Sequence, residues 1–91
     1  MSKTITKNVL SKYFIEIESG QKTYELRLAD WDCQSGDTLV LMELDDETQS
    51  PTGRSLSREV GFVGKTKDLS FWTPEQIEKY GYQIISLIDK K

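Results

Sequence analysis

Ninety-one residues provide for one small domain, here taken as residues 1–91, and leave no room for a second. Twelve basic and fifteen acidic side chains give a formal charge of −3, which argues against a broad phosphate-coating surface. Histidine is absent and Cys33 is the single cysteine, so an intramolecular disulfide, a Cys/His zinc site and a histidine-based catalytic triad are all excluded.

In chain order, Thr4 to Val9 alternates weakly and reads as an opening strand. From Leu10 to Ser19 the period changes: Leu10, Phe14 and Ile17, with Tyr13 less regularly, fall on one face of a helix, and Gly20 follows where a helix commonly ends. Thr23-Tyr24-Glu25-Leu26-Arg27-Leu28 then alternates with period 2. This predicts a half-buried strand, with Tyr24, Leu26 and Leu28 facing a core and Glu25 and Arg27 facing outward. Asp30 to Gly36 is a polar connector carrying Trp31. Thr38 to Leu44 is a near-continuous apolar run of strand length, ended by Asp45, Asp46 and Glu47. Thr48 to Gly53 reads as a turn and Ser55 to Val63 as the returning strand of a hairpin.

The clearest local signal is Thr73-Pro74-Glu75-Gln76. It combines an N-cap threonine, proline at the first helical position and glutamine three residues after the cap, with Trp72 and Ile77 at the positions of a hydrophobic staple. Gly81 closes this short helix, and Tyr82 to Ile88 predicts a last strand. Strands joined mostly by hairpins imply an α+β domain with a mainly antiparallel sheet, a small barrel being one form of it, with a helix after the first strand and a short helix before the last.

Several patterns bear on chemistry. Gly20-Gln21-Lys22-Thr23 lacks the earlier glycine of a phosphate loop, since Ile15 stands there. The acidic run Glu43, Asp45, Asp46 and Glu47 has no calcium-loop spacing and reads as a solvated hairpin end. Cys33 has no basic neighbour in sequence and reads as a small packing residue. On a strand, Thr23, Glu25 and Arg27 share one face, with Lys22 at its mouth. Such a set can hold an anion or a polar base edge, the carboxylate aiming the arginine fork, and it also suits a plain charged surface. Arg54, Arg58, Lys65 and Lys67 make residues 52–67 locally basic, with Glu59 the one acid, a phosphate-facing patch or ordinary surface charge. Trp31 in its connector is available to stack on a base.

Ser19-Gly20-Gln21-Lys22-Thr23-Tyr24-Glu25-Leu26-Arg27 resembles the G-x-K-x-x-E-x-R signature of the ASCH domain family, part of the PUA-like superfamily. Gly36-Asp37 fits the family's G-D element. Tyr13-Phe14, Thr52-Gly53-Arg54 and Gly81-Tyr82 through Ser86 look like a small branch of that group, so the likeness runs from about Lys7 to Ile88. The resemblance implies a PUA-like β-barrel whose cleft is lined by Lys22, Glu25 and Arg27, with Arg54 at the rim, and partners such as RNA, a nucleotide or a modified nucleoside. Some ASCH-like proteins are small amidohydrolases of acetylated cytidine that use lysine, threonine and glutamate. Glu25 stands here in place of that threonine, and Thr6-Lys7-Asn8 stands where the branch usually has histidine. Ribonuclease activity is also linked to the family.

Two expectations follow. One is a binding module for a single-stranded or modified base, with Lys22, Glu25, Arg27, Trp31 and Arg54 as binding residues. The other is a small hydrolase in the same cleft, with Lys22 as base and Glu25 as acid or water-orienter. Neither needs a metal or cofactor. The first residues contain no apolar signal core, and no apolar run approaches the roughly 20 residues of a membrane span, so the expected compartment is the cytoplasm.

Overall fold

The computed structural model describes residues 2–90 and confirms an α+β chain. Its elements are β1 (Thr4–Leu10), α1 (Ser11–Glu18), β2 (Thr38–Leu44), β3 (Pro51–Glu59), a 3₁₀ turn (Thr66–Asp68) and α2 (Pro74–Tyr80). The sheet has the order β1-β2-β3. β2 is its centre, which explains why its sequence is apolar on nearly every residue: Leu39 and Leu41 are buried on one face while Val40, Met42 and Leu44 are half-buried on the other.

The expected hairpin is present, with β2 and β3 antiparallel and Leu41 opposite Leu56. Its turn is earlier than Thr48–Gly53. Asp45 N donates to Ser50 O, and the Asp45 carboxylate accepts from the N–H groups of Glu47 and Thr48, so the reversal is complete before Pro51. Pro51 begins β3, which lies at the sheet's edge, where a missing N–H is tolerated. The strand ends at Glu59. Val60 then bonds back to the start of β2, Gly36 N donating to Val60 O and Val60 N to Asp37 O, and the chain leaves the sheet at Gly61.

The sheet corrects the antiparallel expectation, because β1 and β2 run parallel, from Thr4 opposite Thr38 to Leu10 opposite Leu44. Parallel neighbours need a crossover of a dozen or more residues, and residues 11–37, which begin with α1, supply it. α1 lays Phe14 and Ile17 on the sheet, and with Val9, Leu39 and Leu41 they form the core. Ile5, Trp31, Leu56 and Val60 pack around it. Gly20, at φ +88°, ends α1: its N–H donates to Ile17 O, and Lys22 N then turns back to Glu16 O.

The sheet of the described residues is open, not closed into a barrel. Residues 23–28 and 82–88, both expected as strands, make no strand ladder. Side chains stand where main-chain pairing would be: Arg27 Nη2 donates to Asn8 O of β1, and Thr23 N donates to Ser86 Oγ. Tyr24 is half-buried, as its row predicts, but from Glu25 onward the burial is the reverse of the apolar alternation. Glu25 and Arg27 are half-buried, whereas Leu26 and Leu28 are exposed. Arg27, anchored to β1, turns inward with Glu25, and Leu26 and Leu28 are left facing outward.

α2 has the full capping box, Gln76 N donating to Thr73 Oγ1 and Thr73 N to Gln76 Oε1. Gly81, at φ +66°, closes it with a bond to Ile77 O. None of its residues is buried. Trp72 stacks edge-on with Phe71 and Tyr82.

Candidate functional site

A cleft of about 630 Å³ opens between residues 22–33 and residues 58–66, with Ile17, Leu39 and Leu41 as its apolar floor. The floor is the core face of α1 and β2, so the cleft is an extension of the core rather than a separate hollow. Lys22, Glu25, Arg27 and Trp31 all line it.

Three of these form one network. Glu25 Oε2 accepts from Arg27 Nε at 2.8 Å, and Glu25 Oε1 lies 3.5 Å from Lys22 Nζ. The side chains of Lys22 and Glu25 are 16% and 15% exposed and that of Arg27 29%, so the pairs are partly shielded from water and stronger than open surface pairs. Two aromatic faces enclose the lysine: its Nζ lies 4.8 Å from the Tyr13 ring centroid and 5.0 Å from that of Tyr24. A regular strand would put Lys22 and Glu25 on opposite sides. The irregular backbone after Gly20 brings them together.

Trp31 is half-buried and packs on the core, and the Nζ of Lys7 sits 4.2 Å from its ring centroid. Lys7 projects from the core-facing row of β1, so the indole is held against the sheet by a cation from below. Cys33 is half-buried in the same cleft wall. Across the cleft stand Arg58, Glu59 and Lys65, the last reaching Asp32 at 3.4 Å. Of the basic stretch 52–67, then, Arg58 and Lys65 line the cleft, and Arg54 and Lys67 do not.

Arg54 is placed elsewhere, at the opposite end of β2. Its Nε and Nη2 donate to the two oxygens of Glu43 at 2.9 and 2.8 Å, and its Nη1 lies 3.7 Å from Glu18. Glu43 is 3% exposed and also accepts from Ser11 Oγ at 2.7 Å and from Thr52 Oγ1. The Arg54 guanidinium, with the two hydroxyls, pulls the Glu43 carboxyl down from 4.5 to about 2. Thus Glu43 is no part of a solvated acidic end: it ties α1, β2 and β3 together. Period 2 could have marked it, because it follows Leu39 and Leu41 on the inward row. Asp37 plays a similar part at the other end of β2. Its buried carboxylate accepts from Lys3 N and Gln34 N at 2.9 and 2.8 Å, which lowers its pKa.

The cleft therefore offers a carboxylate held between an ammonium and a guanidinium, an indole face and an apolar floor. This combination can hydrogen-bond the edge of a flat heterocycle while burying its faces. Among the described residues no group of three or more His, Cys, Asp or Glu side chains is placed to hold a metal, and no helix is long and apolar enough to cross a membrane.

The chain belongs to a family described as a domain of unknown function, DUF3850, whose model matches residues 6–85. No match to it was found among the curated proteins or the solved structures.

Proposed function

We propose that this protein is a cytoplasmic nucleotide-binding module of the ASCH/PUA-like kind, taking a base of single-stranded RNA or a modified base into the Lys22–Glu25–Arg27 cleft. The observation that carries this reading is the convergence of the three signature residues on one concave site with Trp31 beside them. Glu25 accepts from a base amino group or aims Arg27, Lys22 and Arg27 meet base oxygens or phosphate, and Trp31 stacks. The PUA-like barrel is part of the proposal, with residues 23–28 and 82–88 as its remaining strands. The bond from Thr23 N to Ser86 Oγ, which brings these two segments side by side, supports it.

Calorimetric titration with the four nucleosides, N4-acetylcytidine and short RNAs tests the reading. Saturable binding that falls in Lys22→Ala and Arg27→Ala is the expected result. No binding by the native protein, or equal binding by both variants, refutes it. The hydrolase reading uses the same Lys22–Glu25 pair, 3.5 Å apart. It requires product release from acetylcytidine or labelled RNA, with a loss on the order of 10²-fold in Glu25→Gln.

A further inference from the structure

The two walls of the cleft differ in how far their cations are already committed. On one wall the charges of Lys22 and Arg27 are shared with Glu25, and Arg27 also donates to Asn8 O. On the other wall Arg58 is exposed, forms no ion pair among the described residues, and uses only Nη1, on the neighbouring Ser57 carbonyl. Lys65 reaches only the exposed Asp32, at 3.4 Å, a pair that water weakens and phosphate can displace.

Between these two cations lies Gly61-Phe62-Val63-Gly64. Among the described residues, the N–H groups of 61–65 donate no hydrogen bond within the protein. A guanidinium and an ammonium on one cleft wall, beside main-chain donors that the protein does not use itself, can meet an anion. Phe62 lies in the same wall, 96% exposed, its ring against Gly64, where an added Cβ would come within 3.1 Å of it. A fully exposed aromatic ring beside cationic groups is the usual platform on which a single-stranded base stacks.

We propose that the 58–65 wall is a phosphodiester subsite, with Arg58 and Lys65 holding the backbone phosphate and Phe62 stacking on an adjoining base, so that the ligand is an oligonucleotide strand rather than a lone nucleoside. The inference rests on the cleft being the nucleotide site and assigns the roles within it. The 22–27 wall reads the base, and the 58–65 wall holds the strand. Glu59, in the same wall, limits the excess positive charge there and disfavours binding of phosphate alone.

The test compares each nucleoside, N4-acetylcytidine included, with the trinucleotide UpNpU that carries it at the centre, and with the same trinucleotide built from uncharged methylphosphonates. For the nucleoside that binds best, the trinucleotide should bind roughly tenfold to a hundredfold more tightly, and the methylphosphonate form should lose that gain. Arg58→Gln should remove most of the gain and flatten the salt dependence by about 0.7 in log–log slope, and Arg58→Lys should restore the slope. Equal affinity for nucleoside and trinucleotide, or an Arg58→Gln protein that keeps the gain, overturns the subsite and leaves the base cleft standing. Failure of every nucleoside and trinucleotide to bind overturns both.

Discussion

Replacing Arg27 by lysine keeps the charge and removes the fork. The guanidinium joins two groups that no single ammonium can reach together: Glu25 Oε2, 2.8 Å from Nε, and the Asn8 carbonyl on β1, bonded to Nη2. A lysine can satisfy one of them and releases the other. A charge-assisted hydrogen bond contributes about 1.5–3 kcal/mol when its loss leaves a buried partner. Asn8 is exposed, so water takes over its carbonyl, and the expected cost falls to about 1–2 kcal/mol. In a domain of this size that lowers the melting temperature by roughly 4–16 °C. Urea unfolding followed by circular dichroism measures the loss directly, and an unchanged denaturant slope shows that it belongs to the folded state. Because Arg27 anchors Glu25 at the base-reading wall, ligand affinity should fall along with stability. A lysine variant as stable as the native protein would refute the argument that the fork joins 23–28 to β1.

Glu43→Gln tests the buried acid. The folded carboxyl titrates near 2 against an ordinary value of 4.5, so its stabilising contribution is complete above about pH 4.5 and is lost as pH falls toward 2. Acid unfolding of the native protein should steepen through that window, and the glutamine variant should show a shallower dependence there, measured by circular dichroism against pH. Thr73→Ala removes the capping box of α2, which contributes about 1 kcal/mol to helix stability. Because α2 buries none of its residues, the loss should appear as faster amide exchange over residues 76–80 with the global unfolding midpoint unchanged.

Local signals were read well from sequence and distant ones were not. The helix over Ser11–Glu18, the apolar strand Thr38–Leu44 and the capped turn at Thr73 each depend on neighbours within a few residues, and each is present. The parallel partnership of β1 with β2 links residues more than thirty apart and has no local signature. Residues 23–28 show why alternation can mislead. Tyr24, Leu26 and Leu28 alternate as an inward face should, yet only Tyr24 is half-buried, and beyond it an anchored arginine leaves Leu26 and Leu28 exposed. The candidate site was legible as far as its residue types: Lys22, Glu25, Arg27 and Trp31 lie on one cleft. Arg54 has the right type, but it is bound to Glu43 at the other end of β2, through a pairing that spans a shift in the β2–β3 register.

The base-reading groups of the 22–33 wall, Lys22, Glu25, Arg27 and Trp31, all lie in residues 11–37, the stretch of chain that carries β1 round to β2. Parallel strands cannot zip from a turn. They meet only after the intervening chain has packed, and closing so long a loop is paid in entropy before the pairing returns anything. The recognition wall and the parallel half of the sheet therefore depend on the same stretch of chain being packed. A chain that has made only the β2–β3 hairpin has neither, because one wall of the cleft and part of its floor belong to residues 17–33.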